Sequence, residues 1–432
     1  MEISRSTYLT RLIERKHNGL IKVITGIRRC GKSYLLNTLF YRHLIESGVN
    51  EPHIIKFAFD SAEDLLLIGE NIISLEHEKR KVNPEKFMAY IAGKITGDGM
   101  YYLLLDEVQR LDSFETVLNS YLRHSNLDIY VTGSNSRFLS SDIITEFAGR
   151  GDEIHVYPLS FSEYYTTCKN QSPTRAFDDY MTFGGLPFTA LLSSDEQKAS
   201  YLTSQIEHVY LRDIITRYHL HHENDLNELM NIISSDMSAL TNPSKLSHTF
   251  KSVKGSGISA LTIDKYLSYF EDAFLIKRAL RFDVRGKKYI NTPYKIYFED
   301  TGLRNARLSF RQIEPTYLME NIIYNELRIR GFLVDVGVVP VREANAEGKE
   351  IKKQLEIDFV ANKGSHRYYI QSAWMIPDEE KKHQEMRPFD MTRDSFKKIL
   401  ITGTELKPRH TEKGYVVMGI TDFLLNKDSL EW

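Results

Sequence analysis

Residues 20–44 read LIKVITGIRRCGKSYLLNTLFYRHL, and this stretch decides the fold of the first part of the chain. Its first six residues are largely apolar and β-branched, which is typical of a buried strand. Leucines and a phenylalanine then recur at helical spacing after residue 34. Between these segments, Gly26, Gly31, Lys32 and Ser33 complete the pattern G-x-x-x-x-G-K-S. The sequence therefore predicts a strand, a phosphate-binding loop and a helix in that order.

The residue types of this loop suit the phosphates of a nucleotide. Glycines allow the backbone to approach closely, and the loop N–H groups and the helix N-terminus attract an anion. Lys32 reaches the β- and γ-phosphates in such loops, and the Ser33 hydroxyl ligates Mg²⁺. The alternative is a chance glycine turn before a helix. The predicted cofactor-binding residues of the loop are Gly26, Ile27, Arg28, Arg29, Cys30, Gly31, Lys32, Ser33 and Tyr34.

Length, charge and cysteine content limit the class of protein. The 432 residues carry a net charge of −2, and 42% are hydrophobic and 26% charged, as in an ordinary globular protein. This balance gives no global attraction to nucleic acid, so contact with DNA requires a local basic patch. Two cysteines, Cys30 and Cys168, exclude a disulfide framework, and no apolar stretch approaches the length of a membrane span. We therefore predict a cytoplasmic protein without a membrane partner.

A second apolar run, residues 101–105, ends in the acid pair Asp106 and Glu107. Such a continuous run favours a central parallel strand, and ligands bind at the carboxyl ends of strands in open α/β sheets. We predict that Asp106 holds Mg²⁺ through its water shell. We predict that Glu107 polarises the attacking water and, with Lys32, is catalytic. The alternative is an ordinary loop that begins with two acids.

Two further candidates follow later strands. Ser134 comes just after a strand predicted over residues 128–132, where it would contact the γ-phosphate or the attacking water. A simple Ser/Asn turn is the equal alternative. Arg150 lies between two glycines before a strand predicted over residues 153–159. From this loop it would stabilise a phosphoryl group bound to a neighbouring subunit, unless it is a surface arginine in a salt bridge.

Four motifs, GIRRCGKS, LLLDEVQ, VTGSNSRFLS and GRGDEIHVYPLSFSEY, resemble the AAA+ branch of P-loop ATPases. More closely, they are similar to a bacterial and archaeal family of predicted ATPases with a C-terminal domain of unknown function. The resemblance implies a five-stranded parallel sheet between helices over residues 1–165, with ATP and Mg²⁺ as cofactors. In AAA+ proteins an arginine before the last core strand commonly acts across a subunit interface. Arg150 matches that place, so the resemblance implies a homo-oligomer with Arg150 acting in trans.

The middle of the chain changes to short helices followed by a predicted hairpin. We predict a helical lid over residues 166–225 and a winged helix-turn-helix over residues 226–306, whose helix around residues 262–269 would enter a DNA major groove. Winged helices also bind proteins, so DNA and protein both remain candidate partners. The basic residues of the predicted wing, suited to DNA phosphates, are Arg281, Arg285, Lys287 and Lys288.

Residues 307–432 are similar to the PD-(D/E)xK nuclease core, with a helix that carries Glu320 followed by several strands. Asp358 occupies the place of the metal-binding aspartate. The expected Glu-x-Lys is replaced by Gln371, Ser372 and Ala373, and an amide and an alanine cannot supply the missing charges. We therefore predict a nuclease-like domain that does not cleave, in which Glu320 and Asp358 are a relic or a weak ion site.

The predicted fold class is thus α/β, with an N-terminal P-loop domain, a helical lid and winged helix, and a C-terminal α/β nuclease-like domain. The first functional hypothesis is an Mg²⁺-dependent ATPase that performs conformational work on DNA or a protein–DNA complex. The second is a nucleotide-dependent switch that binds a protein partner and hydrolyses ATP slowly. These hypotheses differ in whether DNA stimulates turnover.

Overall fold

The apolar run before the phosphate loop forms an inner strand of a five-stranded parallel sheet. The computed structural model describes residues 3–78, 80–133, 147, 149–168, 171–255, 257–344 and 350–432. The strands up to residue 157 are β1 (Ile21–Thr25), β2 (Ile54–Ala58), β3 (Tyr101–Asp106), β4 (Leu127–Thr132) and β5 (Gly151–His155). They lie in the order β2-β3-β4-β1-β5. Every residue of β1 and β3 is buried, which explains why both segments read as largely apolar runs.

Helices cover this sheet and supply its apolar core. The helix after the phosphate loop begins as Lys32–Tyr34, is π-wound over Leu35–Phe40 and ends as Tyr41–Glu46. Aromatic and aliphatic side chains of β2, β3 and β4 pack with Phe87, Phe114 and Leu118 in one buried cluster. The other described helices of this unit are Ser6–Glu14, Glu51–His53, Ala62–Leu67, Ile72–His77, Pro84–Lys94, Val108–Arg110 and Phe114–Tyr121.

The last strand of this sheet begins earlier than the sequence predicts. We expected a strand over residues 153–159, whereas β5 spans Gly151–His155. Its register follows β1, from Ile21 opposite Gly151 to Thr25 opposite His155. The pairing ends there because β1 turns into the phosphate loop at Gly26. The predicted parallel sheet between helices is otherwise confirmed.

Residues from 158 onward form a second compact unit with its own mixed sheet. Its strands are β6 (Ile276–Asp283), β7 (Lys288–Phe298), β8 (Leu333–Ala344), β9 (Glu350–Lys363), β10 (His366–Ala373), β11 (Lys397–Thr402), β12 (Arg409–His410) and β13 (Val416–Gly419). They lie in the order β12-β13-β11-β10-β9-β8-β6-β7.

Helices precede, interrupt and follow these strands. Helix Ala260–Asp272 includes the segment predicted to read DNA, and helix Pro315–Ile329 carries Glu320. The other described helices of the unit are Phe161–Tyr165, Pro173–Phe183, Thr189–Leu191, Asp195–Ser204, Gln205–Leu211, Arg212–Arg217, Glu223–Ser235, Pro243–Lys254, Thr301–Arg307, Glu379–Asp390 and Ile420–Leu425.

The hairpin that the sequence assigned to a wing belongs to this mixed sheet. β6 pairs antiparallel with β7 and parallel with β8, so strands on both sides of the predicted boundary at 306/307 share one sheet. Arg281 is buried and donates to Gln354 Oε1 at 2.6 Å. Arg285 donates to the carbonyls of Met391 and Pro340 at 2.6 Å each. Two of the four basic residues predicted for DNA phosphates therefore bind the sheet itself, while Lys287 and Lys288 are exposed.

A buried polar cluster around residues 300–305 joins the helices of the second unit. Asp300 accepts hydrogen bonds from Gly185 N at 2.8 Å and Leu303 N at 3.0 Å. Arg304, which is fully buried, donates to Ser234 O at 2.8 Å. A Cβ on Gly184, which has a φ of +70°, would lie 2.2 Å from Asp300 Oδ1, so only glycine fits there. This segment therefore fastens helices Pro173–Phe183 and Glu223–Ser235 to helix Thr301–Arg307.

Among the residues that the structure describes, no helix is both long and apolar enough to cross a membrane.

Candidate functional site

The loop after β1 is held in a shape that requires its glycines. Gly26 has a φ of +136°, and a Cβ there would lie 2.1 Å from the carbonyl oxygen of Val156. Gly31, at the start of the following helix, has a φ of +100°. Arg29 also adopts a left-handed conformation and is exposed, whereas Cys30 is buried. The loop is therefore pressed against the end of β5 and bends at both of its glycines.

Lys32 lies inside this loop, where its ammonium donates to two neutral carbonyl groups. Its Nζ donates to the carbonyl oxygens of Gly26 at 2.8 Å and Ile27 at 3.0 Å. The side chain is 5% exposed. A buried ammonium without a carboxylate in this bonding set is suited to an incoming anion, because the anion would supply the missing countercharge.

Asp106 lies at the carboxyl end of β3 in a network of uncharged donors. Its Oδ1 accepts from the Thr132 hydroxyl, and its Oδ2 accepts from Asn37 Nδ2 at 3.2 Å. Burial raises the pKa of Asp106, while hydrogen bonds from Thr132 and Ser33 act in the opposite direction. The structure thus brings together Ser33 and Asp106, the two residues predicted to hold Mg²⁺. Their hydroxyl and carboxylate oxygens are donors that Mg²⁺ accepts directly or through water.

Glu107 follows Asp106 in a left-handed backbone conformation, with a φ of +53°. Its N–H donates to Thr132 Oγ1 at 3.2 Å, and its Oε2 accepts from Gln109 Nε2. Such a conformation is uncommon for a non-glycine residue and is concentrated at functional sites. The Thr132 hydroxyl therefore contacts the Asp106 carboxylate and the Glu107 backbone, although no sequence pattern distinguishes Thr132 from the Ser134 that follows. Ser134 lies outside the described residues.

Arg5 is a second residue that the sequence did not single out. Its Nη1 donates to Cys30 O in the loop at 3.1 Å, and its Nη2 donates to Tyr157 O at 2.6 Å. Tyr157 N in turn donates to Tyr8 Oη at 3.2 Å, and the Arg5 guanidinium lies 4.6 Å from the Tyr8 ring centroid. Arg5 is 2% exposed. Helix Ser6–Glu14 therefore ties the phosphate loop to the chain that leaves β5, a link that no local sequence pattern predicts.

Arg150 lies at the opposite edge of the sheet from the loop. It is exposed, its carbonyl accepts from Ile21 N at 2.9 Å, and it lines a surface pocket of about 650 Å³ with Arg123. β1 runs from this edge to Gly26, a rise of about 16 Å for its five residues. An extended arginine side chain does not span that distance. The placement therefore excludes contact between Arg150 and the phosphate loop of its own chain.

The described residues contain no group of three or more His, Cys, Asp and Glu side chains arranged to hold a metal ion. Glu320 and Asp358, which the sequence placed in a degenerate nuclease site, lie near each other around Lys295. Gln371 Oε1 accepts from Asp358 N at 3.3 Å, so this amide forms a structural hydrogen bond at the place of the expected acid.

Two family models and two curated relatives match the chain. Residues 18–165 match a family described as an AAA domain, and residues 174–314 match a domain of unknown function. An uncharacterized protein of Haemophilus influenzae is 32% identical over 429 residues, which cover 98% of each chain. The uncharacterized protein MJ1544 of Methanocaldococcus jannaschii is 25% identical over 418 residues, covering 93% of this chain and 85% of the relative.

Solved structures resemble the chain only loosely. The Aeropyrum pernix ORC1 protein in complex with DNA is 14% identical with a TM-score of 0.30, over 71% of this chain and 92% of that one. AMPPCP-bound DnaA from Aquifex aeolicus is 12% identical with a TM-score of 0.30, over 61% and 86%. TM-scores this low carry no argument about function. The identity to the Haemophilus influenzae protein is high enough to show a common family. The chain therefore belongs to the same protein family as that uncharacterized protein, and residues 18–165 of the chain form an AAA domain.

Proposed function

We propose that the protein binds ATP with Mg²⁺ at the loop of residues 26–34 and hydrolyses it. One observation carries the proposal: Lys32, Ser33, Asp106 and Glu107 converge at the carboxyl edge of one parallel sheet, where the Thr132 hydroxyl binds the Asp106 carboxylate and the Glu107 N–H. Phosphoryl transfer needs positioning and charge stabilisation more than covalent chemistry, and these residues supply both.

Each residue has a distinct role in the proposal. Residues Gly26 to Tyr34 provide backbone N–H groups and the start of a helix for the phosphates, and Lys32 moves from the loop carbonyls to the β- and γ-phosphates. Mg²⁺, when bound, neutralises charge on the phosphate oxygens; Ser33 and Asp106 are the residues that would hold it. Glu107 orients the attacking water and accepts its proton. Ser134, beyond the described residues, is retained as a candidate contact to the γ-phosphate.

The test is release of inorganic phosphate by the full-length protein with ATP, in Mg²⁺ and in excess EDTA. We expect turnover that requires Mg²⁺ and is inhibited by ADP. If EDTA leaves the rate unchanged, or if phosphate release is absent while an ATP analogue binds, the hydrolytic assignment fails.

We propose that Arg150 acts on the nucleotide of a neighbouring subunit in a homo-oligomer. The support is its exposure and its distance from its own phosphate loop. Arg150→Ala protein mixed with Glu107→Gln protein is expected to recover turnover, because a mixed interface pairs an intact arginine with an intact glutamate. Arg123→Ala, which changes the other arginine of the same pocket, is the matched control. A mixture no more active than its components would refute action in trans.

We propose that the ATPase cycle drives conformational work on DNA through the second unit. The support is a set of exposed lysines on helix Pro243–Lys254 and on the turn between β6 and β7: Lys251, Lys254, Lys287 and Lys288. Their exchange for glutamate is expected to weaken binding to duplex DNA and reduce its salt dependence. ATPase rates measured with and without duplex and single-stranded DNA separate this function from its alternative.

The alternative is a switch in which ATP binding orders an assembly with a protein partner. This alternative is favoured by exposed apolar side chains on helix Pro243–Lys254 and on the next helix, Ala260–Asp272: Val253 is 59% exposed and Leu261 is 80% exposed. A rate that is indifferent to DNA, with binding to DNA unaffected by the four glutamate substitutions, would favour the switch.

A further inference from the structure

A lysine that no sequence motif selects lies at the centre of three carboxylates in the second unit. Lys295 Nζ is 2.8 Å from Glu320 Oε1, 2.8 Å from Glu356 Oε1 and 3.6 Å from Asp358 Oδ1. The lysine side chain is 5% exposed, and those of Glu320 and Asp358 are 9% and 11% exposed. The lysine comes from β7, one acid from helix Pro315–Ile329 and two acids from β9.

Contacts of strand β7, which carries Lys295, hold the lysine in this place. Lys295 pairs with Ala279 in the β6–β7 ladder. Two residues further along, Tyr297 donates its hydroxyl to the same Glu320 oxygen at 2.6 Å. Asn321, next to Glu320, holds both the N–H and the carbonyl of Phe298 at 2.7 Å. β7 and the helix are therefore fastened to each other immediately beyond Lys295.

Two further hydrogen bonds engage polar groups beside the cluster. Asp358 Oδ2 accepts from Ser372 N at 2.8 Å, while Gln371 Nε2 donates to Glu385 Oε2 at 3.3 Å. A divalent ion would need several of these carboxylate oxygens within about 2.0–2.6 Å of one point. The ammonium already stands at that point, and two cations cannot share it.

We propose that Lys295 is the resident cation of this cluster and that its ammonium keeps the three carboxylates free of divalent metal ions. The second unit is then a metal-free domain held together by an internal ion cluster, and removal of the lysine charge turns that cluster into a metal site. The inference does not rest on the proposed ATPase activity, because none of these residues belongs to the phosphate-loop site.

Terbium luminescence tests the proposal, since a tyrosine ring beside the ion sensitises Tb³⁺ and Tyr297 already contacts Glu320. Full-length Lys295→Met protein without nucleotide is expected to bind Tb³⁺ at least about tenfold more tightly than wild type, because three oxygen ligands lose their cation. Lys295→Arg is the matched control and is expected to behave as wild type. The double variant Lys295→Met with Glu320→Gln is expected to lose this tighter binding of Tb³⁺. That loss would assign the bound ion to this cluster.

Two results would overturn the proposal. One is a folded Lys295→Met protein, verified by circular dichroism, that gains no Tb³⁺ binding. The other is measured on the wild-type protein, so it tests the proposal even if the Lys295→Met protein does not fold. A wild-type Tb³⁺ signal that disappears in Glu320→Gln would show that metal enters despite the lysine, whereas equal signals in the two proteins support the inference.

Discussion

The phosphate loop of the first unit and the ion cluster of the second both combine a buried lysine with carboxylates, but they distribute charge in opposite ways. Lys32 donates to two carbonyl oxygens, and Asp106 accepts from a hydroxyl and an amide. Lys295 instead contacts three carboxylates directly. The first arrangement leaves a cation to be matched by an anionic ligand, while the second already surrounds its cation with acids of the same chain.

The comparison shows that residue types alone do not define a site. Buried charges are stable only when they are paired or hydrogen-bonded, so a lysine bonded to neutral groups retains its capacity for a phosphate. A lysine already surrounded by acids has no such capacity. The predictions below test this difference, beginning with the largest expected effect.

Removing the charge of Lys32 is expected to have the largest effect. Lys32→Ala should lower the rate of ATP hydrolysis by about a thousandfold, because the phosphates lose a desolvated cationic partner in both the ground state and the transition state. Phosphate release and binding of a fluorescent ATP analogue measure the two effects. Lys94→Ala, which changes an exposed lysine at the end of a helix, should leave both unchanged. Undiminished hydrolysis by Lys32→Ala would remove the site assignment.

Glu107→Gln is expected to separate binding from chemistry at the same site. The amide keeps the size of the side chain but cannot accept the proton of the attacking water, so turnover should fall by about a hundredfold. ATP binding should remain close to wild type, because Lys32 and the loop are unchanged. Equilibrium binding and single-turnover hydrolysis measure the two quantities. A wild-type rate would assign the base to another residue.

A substitution at Arg5 tests whether the phosphate loop must be held rigidly for turnover. Arg5→Lys retains a positive charge but cannot reproduce the two bonds to Cys30 O and Tyr157 O. We expect a fall in kcat of about tenfold, since a displaced loop misaligns the phosphates. Comparing kcat with KM distinguishes a positioning role from simple loss of affinity.

Arg11→Met is the control for that experiment, because Arg11 is the other guanidinium near the Tyr8 ring, 5.4 Å from its centroid. It should retain wild-type kcat. If Arg5→Lys changes only the stability of the protein, Arg5 is a packing residue and has no role in aligning the loop.

Much of the structure of the first unit could be predicted from the sequence, because the patterns that indicate it are local. The glycines, Lys32 and Ser33 lie within eight residues, and the apolar run before Asp106 is long enough to predict a buried strand. Thr132 and Arg5 act through hydrogen bonds to residues 26 and 25 positions away, respectively. No spacing rule indicates such partners. The sequence therefore indicated the residues that the proposal assigns to the nucleotide, but not those that hold them in place.

The structure of the second unit was harder to predict, because its contacts join residues that are distant in the sequence. The hairpin β6–β7 reads as a wing, because its strands and basic turn are visible locally, whereas its pairing with β8 depends on residues more than 50 positions later. That pairing engages Arg281 and Arg285 in the sheet. Lys295 lies 25 to 63 residues from the acids around it, so the sequence indicated a degenerate site without showing the cation that fills it.

The last expected effect concerns stability instead of turnover and comes from Asp358 in the ion cluster. Burial, together with the nearby carboxylates Glu320 and Glu356, raises the pKa of Asp358 to about 8, although Lys295 opposes the shift. The folded protein therefore holds a proton that the unfolded chain releases at lower pH, and wild-type stability falls as the pH rises toward about 8. Asp358→Asn cannot titrate and should escape this loss.

The free energy of unfolding of Asp358→Asn, relative to wild type, should therefore rise by about 2 kcal/mol between about pH 6 and about pH 9. Urea unfolding at a series of pH values, monitored by circular dichroism, measures the difference, and the subtraction removes titration common to both proteins. A difference independent of pH would mean that Asp358 is already ionised beside Lys295 at about pH 6. The three acids would then outnumber the lysine by two charges, instead of the one that a protonated Asp358 leaves, and the cluster would carry a larger unmatched negative charge, in contrast to the unmatched positive charge of the phosphate-loop site.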